Sequence, residues 1–476
     1  MNSRSGAPAG LKAGLVSLAA SAGLAFGGLA HAQDAGPNTG MSMPMAPSST
    51  QPSPAPSKSA APPPSESAMP GMSIDKMDMP GMTMGDQDMA MMPAALGSGS
   101  MMREASGTSW QPDATPMDGI MGRLGGWSTM VHGYISGIYD NQGGPRGGDK
   151  AFSESMLMVM AEHQAGHGRL TLRSMLSLEP LMGASGYPLL LQTGETANGV
   201  TPLIDRQHPH NLFMELAGVY SLPLGDKAAA FVYAGYPGEP ALGPPAFMHR
   251  VSGVDDPAAP ITHHWLDSTH ITFGVITTGF VYGPWKIEGS VFNGREPDQN
   301  RWGFDPLQLN SVSGRVSLNS TPNWSFQISD GYLKSPEQLE PGVDQHRATA
   351  SAIYDLPFAG GNWQTTLAWG RNSLSPGPTL DAFLLESAVS WKRHTVFARA
   401  ESAQKNELFQ PPSPLAGRVF RVATASLGYI YDLPIAKHLA IGLGVMGSLY
   451  DLPETIRPAY GGSPASYMTF VRFKTR

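Results

Sequence analysis

The chain has 476 residues, a formal net charge of −7 and only 14 % charged residues. That length suits two or three ordinary domains or one large barrel, and the charge balance is not basic enough for a nucleic-acid partner. There is no Cys, which excludes disulfides, thiolate zinc sites and cysteine nucleophiles, while Met (27) is in clear excess.

The N-terminus reads as an export signal. Arg4 and Lys12 supply positive charge, an apolar run of small residues extends from Ala13 to Ala30, and Ala30-His31-Ala32 gives an A-x-A cleavage pattern. Residues 1–32 are therefore expected to be a signal peptide. The competing reading is a membrane anchor, but the run is rich in Gly, Ser and Ala and poor in Leu and Ile. No later stretch approaches the roughly 20 apolar residues that a spanning helix needs.

Residues 33–125 show almost no apolar periodicity, and Pro, Ser, Ala and Gly dominate, as in Pro52-Ser53-Pro54-Ala55-Pro56. A segment of this composition cannot bury enough apolar surface to offset its ordering entropy, so it is expected to be disordered. It is also methionine-rich. Fourteen Met fall between Met41 and Met102, in patterns such as Met41-Ser42-Met43-Pro44-Met45, Met77-Asp78-Met79, Met82-Thr83-Met84 and Met89-Ala90-Met91. Met-Pro-Gly-Met occurs twice, beginning at Met69 (with Met72) and at Met79. Thioether sulfur is a soft, neutral ligand suited to Cu(I) or Ag(I), and M-x-M spacing in an extended chain puts both sulfurs on one side. The alternatives are an apolar filler, which would need a core this segment lacks, and a trap for oxidants.

From 126 to 476 the texture changes to period-two alternation broken by Gly, Pro, Asn and Asp. Trp363, Thr365, Leu367 and Trp369 alternate with Gln364, Thr366 and Ala368, and Leu439, Ile441, Leu443 and Val445 alternate with Ala440, Gly442 and Gly444. About sixteen such segments are expected, near 129–140, 153–164, 167–179, 211–222, 228–236, 268–282, 285–294 and 309–320. The rest fall near 322–332, 345–355, 362–371, 381–392, 394–403, 419–432, 437–450 and 465–474. Short connections, such as Gly283-Pro284 and Lys392-Arg393, alternate with long ones, such as Pro180 to His210 and Pro237 to Asp267. Even strand number and alternating loop length define an all-β chain, a transmembrane antiparallel up-and-down β-barrel in the outer membrane, with its N-terminal segment periplasmic. Tyr354-Asp355-Leu356-Pro357, Tyr431-Asp432-Leu433-Pro434 and Tyr450-Asp451-Leu452-Pro453 recur at strand ends, with Tyr220-Ser221-Leu222-Pro223 as a variant. Three of the four fall on the expected periplasmic side, and the one at Tyr450 does not.

Six histidines cluster between 208 and 270: His208, His210, His249, His263, His264 and His270. Pro209 favours an extended backbone that would point His208 and His210 to one side, and the strand phase places His270 with Thr272 and Thr278. Imidazoles with Asp205, Glu215, Asp255 or Asp267 could form a metal site. The plain alternative is hydrogen-bonded loop histidines. Asn293-Gly294-Arg295-Glu296-Pro297-Asp298 reads most simply as a solvated loop, although Arg295 and Glu296 could line the pore. No G-x-S-x-G or other nucleophile context is present, so the chain is expected not to be an enzyme.

Signal peptide, Met-rich segment and C-terminal barrel together resemble the copper-resistance protein B family of Gram-negative outer membranes. The resemblance lies in this architecture and in the Met motifs. It implies copper binding, resistance or export, with Cu(I) at the methionines, Cu(II) as a further ion for the histidines, and periplasmic copper-handling proteins as partners beside outer-membrane lipid. A porin-like solute channel with no metal role is the alternative, and an outer-membrane enzyme using the His-rich loops a third.

Overall fold

The structure, a computed structural model, describes residues 94–97 and 99–476. The signal segment and Met41, Met43, Met45, Met69, Met72, Met77, Met79, Met82, Met84, Met89 and Met91 lie outside the described residues.

The first strand, β1 (Ile120–Leu124), hairpins onto β2 (Trp127–Gln142), followed by β3 (Gly148–Ala165) and β4 (Gly168–Leu176). A small hairpin of β5 (Tyr187–Thr196) and β6 (Pro202–Gln207) precedes β7 (Phe213–Pro223), β8 (Ala228–Gly235), β9 (Val275–Tyr282) and β10 (Trp285–Phe292). Then come β11 (Ser311–Thr321), β12 (Trp324–Leu333), β13 (Asp344–Phe358), β14 (Gly361–Ser375) and β15 (Thr379–Trp391). The last are β16 (His394–Lys405), β17 (Phe420–Ala436), β18 (Leu439–Asp451) and β19 (Ala465–Thr475). Every expected strand is present.

β2–β4 and β7–β19 form one antiparallel sheet in chain order, β4 pairing with β7, and β19 closes on β2 from Ser466↔Gln142 to Lys474↔Tyr134. The result is a closed barrel of sixteen strands. Beyond Tyr134 the edge of β2 would be open. β1 covers that stretch, from Ile120↔Val131 to Leu124↔Trp127, as a sheet edge with unpaired amides requires.

Connections at one end are two to four residues: 166–167, 224–227, 283–284, 322–323, 359–360, 392–393 and 437–438. At the other end they include 177–212, 236–274, 293–310, 334–343, 406–419 and 452–464. In outer-membrane barrels the short turns are periplasmic and the long loops extracellular. Both ends of the barrel chain leave through the short-turn end.

The two faces of the wall separate by alternation. Leu172, Trp363, Leu443 and Phe473 project outward and are exposed, whereas Thr171, Gln364, Thr366 and Ala440 point inward and are buried. Outward aromatics gather near the short turns, where Trp324 lies 4.7 Å from Tyr354 and Tyr354 lies 5.9 Å from Trp363. An apolar band with an aromatic girdle is the exterior of a barrel that sits in the outer membrane. Tyr354, Tyr431 and Tyr220 lie at this rim. Tyr450 differs because it faces inward, its hydroxyl donating to Gln142 Oε1 (2.8 Å) and bonding Ser466 Oγ (2.9 Å).

Much of the interior is packed. Arg250, Arg315, Arg347, Lys286 and Lys405 are each at most 2 % exposed, whereas a water-filled pore would leave such lumen side chains wet. Part of the filling comes from residues 99–119, within the last third of the segment expected to be disordered. There Arg103 pairs with Asp113 (2.7 Å) and lies over the Trp110 ring at 4.5 Å. Lumen side chains hold the strap's backbone: Arg173 donates to Gly107 O (2.5 Å), Lys286 to Thr108 O, and Asn319 to Gln111 O (2.8 Å). The strap carries little apolar periodicity because its order comes from barrel residues that satisfy its carbonyls. The expected boundary at 126 is corrected accordingly.

Candidate metal centre

The loops 177–212 and 236–274 fold into the lumen. Leu190 and Leu191 of β5 pack with Ile261, Trp265 and Leu266 of the second loop. A buried charge network fixes that loop to the wall. Arg250 donates to Asp267 (2.7 Å) and to Glu386 of β15 (2.8 Å), and Arg399 of β16 reaches Glu386 (3.0 Å) and Asp256 (3.3 Å). Five of the six candidate histidines are thereby brought together: His208, His210, His263, His264 and His270. The sixth, His249, faces the opposite end of the lumen.

Three imidazoles are oriented through Nδ1. His210 donates to Glu179 Oε2 (2.9 Å), His263 to Asp267 Oδ1 (2.8 Å) and His270 to the Asp267 carbonyl (2.9 Å). Their ring centroids are 5.2 Å apart for His210–His270 and 5.2 Å for His263–His270. An Nδ1 anchored on an oxygen fixes the tautomer and turns Nε2 outward as a donor, the arrangement typical of metal-ligating histidines. The Nε2 atoms of His210, His264 and His270 are buried without a hydrogen-bond partner, and that of His208 sits 3.2 Å from Glu195 without hydrogen-bond alignment. Buried polar atoms are nearly always paired, so four such nitrogens in one cluster leave places for a water or an ion.

His264 stands closest to carboxylates. Its Nδ1 is 3.4 Å from Glu296 and 3.7 Å from Glu337. One ligand atom from each of these three residues lies within 4.8 Å of the others, the compactness a cation site needs. Burial works against charge on His264, yet the two carboxylates outweigh it and raise its pKa. Against its own burial, Glu296 is held below the usual carboxylate range by the same imidazolium. His208 behaves oppositely: burial, with His264 and His210 nearby, pushes it down to about 3. The spot between His264 and Glu296 thus already favours positive charge.

Backbone conformation around the cluster is unusual. Glu195 has φ 60°, a left-handed value uncommon outside Gly. Gly194 has φ +106°, and a Cβ there would come 2.5 Å from the His264 ring.

Several expectations need correction. Asp205 pairs with Arg146 (2.6 Å), Glu215 with Arg173 (3.1 Å) and Asp255 with Arg472 (2.6 Å); of the four candidate carboxylates only Asp267 meets the imidazoles. The other acidic partners are Glu179, Glu195, Glu296 and Glu337. Glu296 is buried in the site rather than in a solvated loop. His270 lies in a 3-10 turn (Ser268–His270) before β9 begins at Val275, so strand phase does not orient it. His208 and His210 also part company, His208 towards His264 and Glu195, His210 towards His270 and Glu179.

Fold and interior together define an outer-membrane β-barrel whose lumen is filled by its own loops and N-terminal strap. No protein-family profile and no curated protein matches the chain. Among solved structures it is similar to an anion-selective porin from Comamonas acidovorans (11 % identity, TM-score 0.43, covering 74 % of this chain and 100 % of that one). It is also similar to the outer membrane channel DcaP of Acinetobacter baumannii (9 %, TM-score 0.43, 74 % and 98 %) and to Salmonella typhi OmpF (8 %, TM-score 0.44, 74 % and 99 %). At such values the likeness carries no inference, and the fold rests on the strand pairing itself.

Proposed function

We propose that this outer-membrane barrel binds metal cations inside its lumen, in the service of copper or silver binding, resistance or export. The observation that carries the reading is the cluster of buried imidazoles with unpartnered Nε2 atoms beside Glu195, Glu296 and Glu337. Imidazole with carboxylate suits a divalent ion such as Cu(II) or Zn(II). The choice of copper draws on the thioethers of the N-terminal segment and on the resemblance to the copper-resistance protein B family. Binding and passage need no chemical conversion, so no enzyme activity is proposed, and periplasmic copper-handling proteins are the proposed partners. The test is titration of the detergent-solubilised full chain with Cu(II) and Zn(II), beside a His210→Ala/His264→Ala variant. The variant is expected to lose one divalent equivalent or to bind it more than roughly tenfold more weakly. Equal binding by both proteins would reject the site.

A porin-like solute channel is the second reading, favoured by the strand number, since barrels of sixteen strands commonly enclose an aqueous channel. The two readings differ in planar bilayers. A lumen held closed by strap and loops gives no steady conductance in the parent protein, and a sustained solute-dependent current would support the channel.

A further inference from the structure

At the short-turn end of the lumen lies a cavity of about 660 Å³ with a different chemistry. β2, β3 and β4 form its methionine-bearing side, and β14, β15, β16, β19 and the strap close the rest. In their register Met130 opposes Met160, His132 opposes Met158, and Met158 in turn opposes Met175. Leu157 and Val159 point to lipid and are exposed, so period two turns Met156, Met158 and Met160 inward. His132, Met158 and Met175 therefore form one lateral row across three strands, with neighbouring Cα atoms about 4.5–5.5 Å apart.

A fourth group completes the row from above. The 3-10 turn Phe247–His249 hangs from the loop 236–274 and places His249 Nε2 3.2 Å from Met175 Sδ. His132 Nε2 is 3.1 Å from Met158 Sδ, and the two imidazole centroids are 6.3 Å apart. Around a tetrahedral ion with metal–nitrogen and metal–sulfur bonds of first-row length, a nitrogen and a sulfur sit roughly 3.5 Å from each other. Both nitrogen–sulfur edges are already near that value. A thioether is a weak hydrogen-bond acceptor, so stability alone gives little reason to face two buried imidazoles with sulfur.

We propose that His132, Met158, Met175 and His249 form a second metal site, selective for a soft monovalent cation of the Cu(I) or Ag(I) class. Two thioethers and two neutral imidazoles bring no charge and favour a soft ion over Zn(II), whereas the outer cluster offers carboxylates. Met130 and Met160 line the same cavity one row nearer the short turns, joined there by Met101 and Met117 of the strap. They provide further thioethers along the approach from that side. The inference deepens the metal-binding reading but stands on residues outside the outer cluster.

The test uses the full chain in detergent micelles, titrated with Ag(I) and separately with Zn(II). Met158→Leu with Met175→Leu preserves side-chain volume, a change well tolerated in packed interiors. This variant is expected to bind one silver ion fewer than the parent and to keep its Zn(II) uptake and unfolding midpoint. His249→Gln, which leaves the barrel wall untouched, is expected to lose the same silver ion. If both variants bind as many silver ions as the parent, the proposal is wrong. Failure of the parent to take up Zn(II) would instead reject the outer cluster, leaving the silver count as the separate test of this site.

Discussion

The two ends of the lumen are built from opposite kinds of donor. At the long-loop end the proposed ligands come from loops, His208, His210, His263, His264 and His270 with Glu195, Glu296 and Glu337, and include carboxylates. At the short-turn end the proposed ligands come largely from the wall itself, as the row His132–Met158–Met175, and include no carboxylate. One 3-10 turn touches both: Phe247 lies 6.0 Å from His210 and 5.4 Å from His263, while His249 two residues on meets Met175. The contrast teaches that the barrel wall supplies rigidity at one end, whereas at the other the site depends on loops that must be pinned.

That dependence gives the largest expected effect. Arg250→Ala removes the cation between Asp267 and Glu386, both fully buried. Breaking a buried pair in this way costs about 3–5 kcal/mol, measurable as a lower midpoint in denaturant. Zn(II) binding should fall with it, and silver binding should weaken too because His249 hangs from the same loop; unchanged Zn(II) binding in the destabilised variant would break the comparison. The wall itself is probed by Val445→Arg, in the middle of β18 and facing lipid. A cost of about 2–4 kcal/mol is expected in folding into bilayers, as for a charge near the midplane, without change in metal stoichiometry.

Gly194→Ala is more local. Its Cβ would press on the His264 ring at a φ that L-residues rarely adopt, so Zn(II) affinity should drop roughly 10–100-fold, the usual penalty for disturbing a ligand's support. Tyr450→Phe is the smallest. It removes the hydroxyl shared with Gln142 and Ser466, worth about 1 kcal/mol, and should leave both metals bound as before.

Much of this fold was legible. Strand positions follow from alternation because each wall residue faces either lipid or lumen, and loop parity follows from the two ends of a barrel. The hairpin β5–β6 was missed because its run Tyr187–Leu191 is buried among loops, where alternation no longer marks a face. The strap 99–119 was missed because barrel side chains, distant in sequence, supply its hydrogen bonds. Proximity in sequence brought five of the six histidines together and named Asp267 among their partners, but it overlooked Glu296 and Glu337, which arrive from the separate loops 293–310 and 334–343. The thioether row did leave a signal: Met156, Met158 and Met160 alternate with Leu157 and Val159 in a segment already read as a strand. What one strand could not reveal was the register that sets His132 and Met175 on either side of Met158.

The most direct measurement is anomalous scattering from crystals of the full chain soaked with Ag(I) in one case and Zn(II) in the other. The account predicts a silver peak among Met158, Met175, His132 and His249, and a zinc peak beside His264 and Glu296. Both metals at one end, or no peak within the lumen, would contradict it.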